Sequence, residues 1–165
     1  MTEINWRKTW IRVVSTALVI GMMALIFCFS MQNADASDET SGGISRIVIG
    51  IFYPGYGGET PEKQTEIYDT VQHYVRKTAH FTEYLILGLL MRFCLLSWFG
   101  KRGWLAAASW GAATLYAVTD EMHQLMIDGR SGQWTDVLLD SAGVLAGVLI
   151  AGAVIRRIEQ KRGRE

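Results

Sequence analysis

The sequence is organised around DEMHQLMIDGRSGQWTDVLLDSAG, residues 120–143, which separates two long apolar runs and carries charged side chains at the ends of both. The run before it ends at Thr119 and the run after it begins at Val137, so Asp140 lies inside the second run. A carboxylate one turn inside a membrane segment costs roughly 2 to 3 kcal/mol on insertion scales, so it persists only where it is paired, hydrated or used. We therefore interpret this stretch as the functional face of a small membrane protein.

Composition agrees with a single membrane domain. Apolar residues make up 50% of the 165 residues and charged residues only 19%, a high ratio for a soluble domain. Sixteen Lys and Arg balance sixteen Asp and Glu, and we expect no nucleic-acid partner. The two cysteines, Cys28 and Cys94, lie in apolar runs and fit neither a disulfide framework nor a metal-ligand spacing, so we interpret them as packing residues.

Four apolar runs predict an all-α fold, an integral membrane four-helix bundle formed by one domain, residues 1–165. The predicted spans are about residues 13–31, 79–98, 104–119 and 137–155. The first reaches roughly 28 Å as a helix, close to the thickness of a bilayer core. A cleavable signal peptide is the alternative for it, because residues 34–36 resemble a cleavage site, but the run is longer than a typical signal core. In the fourth, Gly143 and Gly147 form a G-x-x-x-G spacing, which favours packing inside the bundle over dimerisation.

The segment between the first two spans predicts an extracytoplasmic interfacial region. Residues 44–53 are too short to span but place apolar side chains at helical spacing, which predicts a helix at the interface or against the bundle. Pro54 and the following glycines end it. Thr60 has the features of an N-cap with Pro61 at the first helical position, so an amphipathic helix should begin there and run straight into the second span.

Basic residues at the span ends predict the orientation. They collect before the first span, between the second and third, and after the fourth. Four crossings place all three clusters in the cytoplasm by the positive-inside rule, which gives a multi-pass protein of the cytoplasmic membrane with both termini inside. Arg92, in the inner third of its span, should snorkel to the cytoplasmic interface, and the basic end after residue 155 should fray.

The same topology predicts one polar cluster at the outer face. Arg76, His80 and Glu83 fall at i, i+4 and i+7, which places them on one helix face, and Asp136 and Asp140 share a face in the same way. The predicted ligand-binding residues are Arg76, Lys77, His80, Glu83, Asp120, Glu121, Gln124, Arg130, Asp136 and Asp140. The candidate catalytic residues among them are His80, Glu83, Asp120 and Glu121.

Each of these groups also has a purely structural interpretation. Arg76, Lys77 and Arg130 could hold a lipid phosphate, or could only neutralise the nearby carboxylates so that the helices pack. His80 with Glu83 could act as general acid and base on a headgroup, or His80 with Asp136 and Asp140 could ligate a divalent cation. Metal and cofactor are not expected, because no H-E-x-x-H or His-rich spacing is present. His123 and Asp128 are interpreted as solvated loop residues.

Three separated motifs resemble the VanZ-like family of bacterial membrane proteins. They are RKTAHFTEYLILG at residues 76–88, DEMHQLMIDGR at residues 120–130 and DVLLDSAGVLAG at residues 136–147. Ser30 and Gln32 after the first span also match the family pattern, whereas Met126 and Asp140 stand where the family often has Phe and Asn. The resemblance implies an association with resistance to teicoplanin and other glycopeptides, which act outside the membrane.

Three functions follow as hypotheses. The first is an envelope accessory protein that binds a lipid-linked wall precursor or a glycopeptide at its outer face and alters glycopeptide susceptibility. The second is an integral enzyme that modifies a lipid or wall-precursor headgroup. The third is a small transporter, which the sequence supports least, because charge at one end of the helices does not make a polar path through the midplane. Membrane lipids are expected partners in every case.

Overall fold

The computed structural model describes residues 6–31, 34–126 and 133–164, and the chain over these ranges is all-α, as predicted. A short 3-10 helix, Tyr56–Gly58, stands between the second and third α-helices, and no strand occurs within the described ranges. The α-helices are α1 (Trp6–Ser30), α2 (Ala34–Phe52), α3 (Pro61–Phe99), α4 (Leu105–Gln124) and α5 (Trp134–Arg162).

Three of the described helices, α1, α3 and α5, are long and apolar enough to cross a membrane. They contain the predicted spans 13–31 (except Met31, which lies in a turn), 79–98 and 137–155. The predicted span 104–119 falls on α4, a helix of 20 residues that contains no stretch apolar enough for a candidate span, because Ser and Thr residues interrupt its apolar run and Asp120 and Glu121 follow. The structure therefore contains three apolar candidate spans and a fourth, shorter helix packed among them.

Helix α3 is one continuous rod of 39 residues, about 58 Å long. It begins as predicted: the Thr60 hydroxyl accepts a 3.4 Å hydrogen bond from the backbone N–H of Lys63, and Pro61 occupies the first helical position. It ends at Gly100, whose φ of 66° suits glycine. Helix α3 packs against α2, and it also contains one of the candidate spans.

Glycines allow α3 and α5 to pack backbone to backbone. A Cβ at Gly143 would lie 2.5 Å from the carbonyl oxygen of Phe81, and one at Gly147 would overlap the carbonyl oxygen of Leu85. On α3, a Cβ at Gly88 would overlap the backbone of Val144 in the same way. The G-x-x-x-G face is therefore used for packing within the chain, as predicted.

Several local predictions were wrong. Helix α2 begins at Ala34 rather than near Ile44, so the polar residues before its apolar stretch are helical. The basic end predicted to fray continues as helix to Arg162. Cys94 is buried as expected, but Cys28 is exposed on α1, because its side chain lies on the outside of the bundle.

The bundle has two chemically different ends separated by an apolar core. At what we call the carboxylate end, α1 and α4 finish and α5 begins, and Ser30 contacts Asp120. At the basic end, α1 begins and α3 finishes: the Arg12 guanidinium donates a 3.1 Å hydrogen bond to the Ser97 carbonyl. Between the ends the packing is apolar, formed by buried side chains that include Val19, Ile26, Leu87, Ala113, Ala117, Val144 and Val148.

Candidate functional site

Asp120 is the centre of a buried hydrogen-bond network at the carboxylate end. Its Oδ2 accepts hydrogen bonds from the Ser30 hydroxyl at 2.8 Å, the Tyr84 hydroxyl at 3.1 Å and the Gln124 amide at 3.3 Å. The Gln124 amide also lies 3.3 Å from the Ser30 hydroxyl. Asp120 is only 3% exposed, so these donors from α1, α3 and α4 supply the hydrogen bonds that water would supply to an exposed carboxylate.

Two contacts hold the start of α5 against its neighbours at this end of the bundle. One is made by Glu121 of α4, and the other joins Lys77 of α3 to Asp136. The Glu121 carboxylate, on the next residue of α4, accepts a 3.1 Å hydrogen bond from the backbone N–H of Gln133, which immediately precedes α5. Asp136, in the first turn of α5, forms a part-buried ion pair with Lys77 on α3. The Asp136 carboxylate also lies at the N-terminus of α5, where the helix macrodipole favours negative charge.

His80 and Glu83 form a separate pair one turn further along α3. The Nδ1 of His80 lies 4.0 Å from a carboxylate oxygen of Glu83, and both side chains are mostly buried. At 4.0 Å the two groups are within ion-pair range but beyond hydrogen-bond distance. The pair has the group types that general acid–base chemistry requires, although nothing at the site identifies a reacting group.

Asp140 is the most deeply buried carboxylate among the described residues. It is 1% exposed, and neither of its oxygens has a hydrogen-bond partner among the described residues. The second oxygen of Asp120 is likewise buried and unpartnered within the described ranges. A buried, unpaired carboxylate costs several kcal/mol, so this end of the bundle needs a proton, a hydrogen-bond donor or a cation. The carboxylates whose charge acts on Asp140 are those of Glu121, Asp120, Asp136 and Glu83.

An apolar groove lies between α2 and α3, and Glu83 belongs to its lining. Its volume is about 780 Å³, and its walls are mainly aliphatic and aromatic, with Val48 and Phe52 from α2 facing Val75 and Ile86 from α3. Among the described residues that line it, Glu83 carries the one carboxylate. The outer face of α2 is apolar as well, since Ile47, Ile51 and Phe52 are at least 63% exposed. The groove thus offers space for a hydrocarbon chain beside an acidic group.

The structure brings most of the predicted site residues to one end of the bundle, but in separate groups. Asp120 and Gln124 share one network, Lys77 pairs with Asp136, His80 with Glu83, and Glu121 binds the backbone before α5. Arg76 is half-buried on α3 beside Lys77. Arg130, predicted to bind an anion, and Asp128 lie outside the described residues. In the described ranges no group of three or more His, Cys, Asp or Glu residues is arranged to hold a metal ion.

Sequence reasoning missed two members of the network and misplaced a third residue. Ser30 was noted only as matching the family pattern and Tyr84 only as part of a family motif, so neither was predicted as a site residue, yet both are fully buried and donate to Asp120. Tyr84 lies one turn after His80 on α3, and that spacing could have revealed it. His123 is not a solvated loop residue: it lies in α4, and its ring stacks on Phe27 at 4.9 Å.

Together these features define a helical membrane protein with carboxylates buried at one end of its bundle and cations at the other. Comparison with protein families identifies which kind. The VanZ/LLP1 family profile matches residues 15–156, most of the chain, and the protein belongs to this family. No curated protein and no solved structure gives a significant match.

Proposed function

We propose that this protein is an envelope accessory protein that binds a lipid-linked wall precursor at the outer face of the cytoplasmic membrane and thereby alters susceptibility to glycopeptides of the teicoplanin type. The observation that carries the proposal is an apolar groove lined by Glu83, at the same end of the bundle as Asp120 and Asp140, whose buried carboxylate groups have oxygens without hydrogen-bond partners within the described chain. A hydrophobic chain and a headgroup rich in N–H and O–H donors match these two surfaces.

The topology behind this proposal is a bundle of four crossings with both termini in the cytoplasm. Helix α4 begins beside the end of α3 and finishes at Ser30, so it runs the length of the bundle in about 30 Å. The hydrogen bond from the Tyr116 hydroxyl to the Met23 carbonyl joins α4 to α1 between the two ends of the bundle and supports a helix that crosses with its neighbours. The basic end then faces the cytoplasm by the positive-inside rule.

The carboxylates favour particular chemistry in the headgroup. Carboxylate oxygens accept hydrogen bonds, so Asp140 and the second oxygen of Asp120 favour a headgroup with amide, hydroxyl or ammonium donors. A wall precursor and a glycopeptide both carry such donors. Lys77 and Arg76, on the same part of α3, are placed to meet a phosphate that joins the headgroup to its chain. We favour the wall precursor because it combines a hydrophobic chain, a headgroup with hydrogen-bond donors and a phosphate that joins the two.

Retention of two probes by the purified full-length protein tests the proposal. One probe is polyprenyl phosphate, and the other is a polyprenyl-diphosphate-linked disaccharide pentapeptide. Ala79→Trp, which fills the groove, should lower retention of both probes about tenfold or more, because the chain no longer fits. Glu83→Gln should weaken retention of the linked precursor only, since it removes a charge-assisted hydrogen bond to the headgroup.

Matched controls come from residues of the same type away from the groove. Ala112→Trp on the exposed side of α4 and Glu66→Gln on the exposed first half of α3 should retain both probes like the parent. Unchanged retention of both probes by Ala79→Trp would contradict the proposal. Deletion of the gene should shift teicoplanin susceptibility, and the same susceptibility in the deletion strain would remove the link to glycopeptides.

An enzyme acting on the same ligand is the second candidate, favoured by the His80–Glu83 pair. Cells that express Glu83→Gln should then differ from parental cells in their lipid profile, and identical profiles would argue for binding without chemistry. A transporter is supported least. The middle of the described bundle is filled by Leu87, Ala117 and Val144, so polar groups do not continue from one end to the other.

A further inference from the structure

The basic end of the bundle contains a second cavity, distant from the carboxylates. Its volume is about 300 Å³, and it lies among the end of α3, the connection into α4 and the last turns of α5. Leu96 and Ile155 form apolar parts of its wall. The charged residues of the lining are four cations and one carboxylate: Arg92, Lys101, Arg102, Arg156 and Glu159.

Arg92 is the deepest of these cations. It lies about two helical turns, on the order of 10 Å, before the end of α3. Its Nε and Nη1 atoms are buried, and neither has a hydrogen-bond partner among the described residues. A guanidinium carries donors only, so these atoms require acceptor oxygens. Snorkelling alone would expose such donors to water or headgroups, whereas here they are enclosed by the walls of the cavity.

The carboxylate of the cavity does not supply those oxygens. Glu159 forms a 2.7 Å ion pair with Lys101 at the exposed rim. The three guanidinium groups of the lining, those of Arg92, Arg102 and Arg156, therefore outnumber the acidic groups available to them. An anion with several acceptor oxygens would offer hydrogen-bond acceptors to these guanidinium groups and balance their charge.

We infer that this cavity binds a phosphate-bearing anion, the headgroup of an anionic phospholipid from the cytoplasmic leaflet. Guanidinium groups contact phosphate through two parallel hydrogen bonds, and basic pockets between spanning helices on the cytoplasmic side hold anionic headgroups. The apolar wall at Leu96 and Ile155 gives the lipid chains a surface that inorganic phosphate would not use. This site shares no lining residue with the carboxylate end, and its assignment to the cytoplasmic leaflet rests on the orientation given under the proposed function.

Native mass spectrometry of the full-length protein with phosphatidylglycerol or phosphatidylcholine tests the inference. The parent should retain phosphatidylglycerol at least tenfold more strongly than phosphatidylcholine. Arg92→Gln should weaken phosphatidylglycerol binding at least fivefold, about the contribution of one cation near an anionic lipid. Arg157→Gln is the matched control, since Arg157 neighbours Arg156 on α5 but does not line the cavity, and it should bind within twofold of the parent.

Two further arms make the result decisive. Arg156→Gln, near the exposed end of α5, should weaken phosphatidylglycerol binding as Arg92→Gln does. Because Arg156 is exposed, this variant should fold even if a substitution at the deeper Arg92 impairs folding. Millimolar inorganic phosphate should leave phosphatidylglycerol bound, and displacement by it would overturn the lipid assignment in favour of free phosphate. Equal phosphatidylglycerol binding by the parent, Arg92→Gln and Arg156→Gln would overturn the site altogether.

Discussion

The Ser30 hydroxyl donates a 2.8 Å hydrogen bond to the carboxylate of Asp120, which lies ninety residues further along the chain. Ser30 is the last residue of α1, and Asp120 lies one turn before the end of α4. Both are buried, so the contact fixes the ends of two helices that otherwise share few contacts. This pairing makes Asp120 a structural centre of the carboxylate end as well as a candidate ligand group.

Removal of the Asp120 carboxylate should destabilise the protein. Asp120→Ala leaves the buried donors of Ser30, Tyr84 and Gln124 without their acceptor, which should lower the free energy of unfolding by roughly 1 to 3 kcal/mol. Asp120→Asn keeps an acceptor oxygen and should lose less. Thermal unfolding in detergent, followed by circular dichroism, measures both. Asp69→Asn on the exposed part of α3 is the control, and an Asp120→Ala variant as stable as this control would contradict the network's role.

The helix crossing of α3 and α5 should not tolerate a methyl group at Gly147. In Gly147→Ala the new Cβ meets the backbone of Leu85 and lies 2.8 Å from the backbone nitrogen of Leu89, so the helices must separate. Overpacking of this kind typically costs about 1 to 3 kcal/mol. Gly111→Ala is the matched control, since open space surrounds Gly111, and alanine there should raise stability by up to about 1 kcal/mol. Similar unfolding temperatures for the two variants would show that the crossing is not close.

The ion pair between Lys77 and Asp136 should contribute to the docking of α5 on α3. Both side chains are about 30% exposed, so solvent screening limits the pair to about 1 kcal/mol at most. Lys77→Asp and Asp136→Lys should each lower the unfolding temperature, and the doubly exchanged protein should recover most of the loss. A double exchange no better than the worse single variant would indicate that the two charges act independently.

The fold could be predicted from the sequence where a hydrophobic pattern is continuous. The runs in α1, α3 and α5 and the Thr60 cap were recognised because membrane insertion and capping leave local signals. The polar first half of α2 and the basic end of α5 leave no such signal. The basic end of α5 is helical because it continues the helix that precedes it. The polar first half of α2 belongs to a helix that packs on α3.

The candidate site was predicted in its charged members but not in its neutral ones. The helical spacing of His80 and Glu83 and the charges inside apolar runs identified the carboxylate end. Ser30 and Tyr84 resemble ordinary residues of a membrane helix, because the sequence around a hydroxyl in an apolar run does not show which residue it will hydrogen-bond to. Only the packing of α1, α3 and α4 reveals that both donate to Asp120.

The orientation of the two ends is the claim on which the proposed ligand site depends, and thiol labelling of intact cells tests it most directly. In a background where Cys28 and Cys94 are replaced by alanine, Thr135→Cys and Gln160→Cys place single exposed thiols near opposite ends of α5. A membrane-impermeant maleimide should label the protein with Thr135→Cys in intact cells and the protein with Gln160→Cys only after permeabilisation. The reverse pattern would place the carboxylates in the cytoplasm and contradict an outward-facing site.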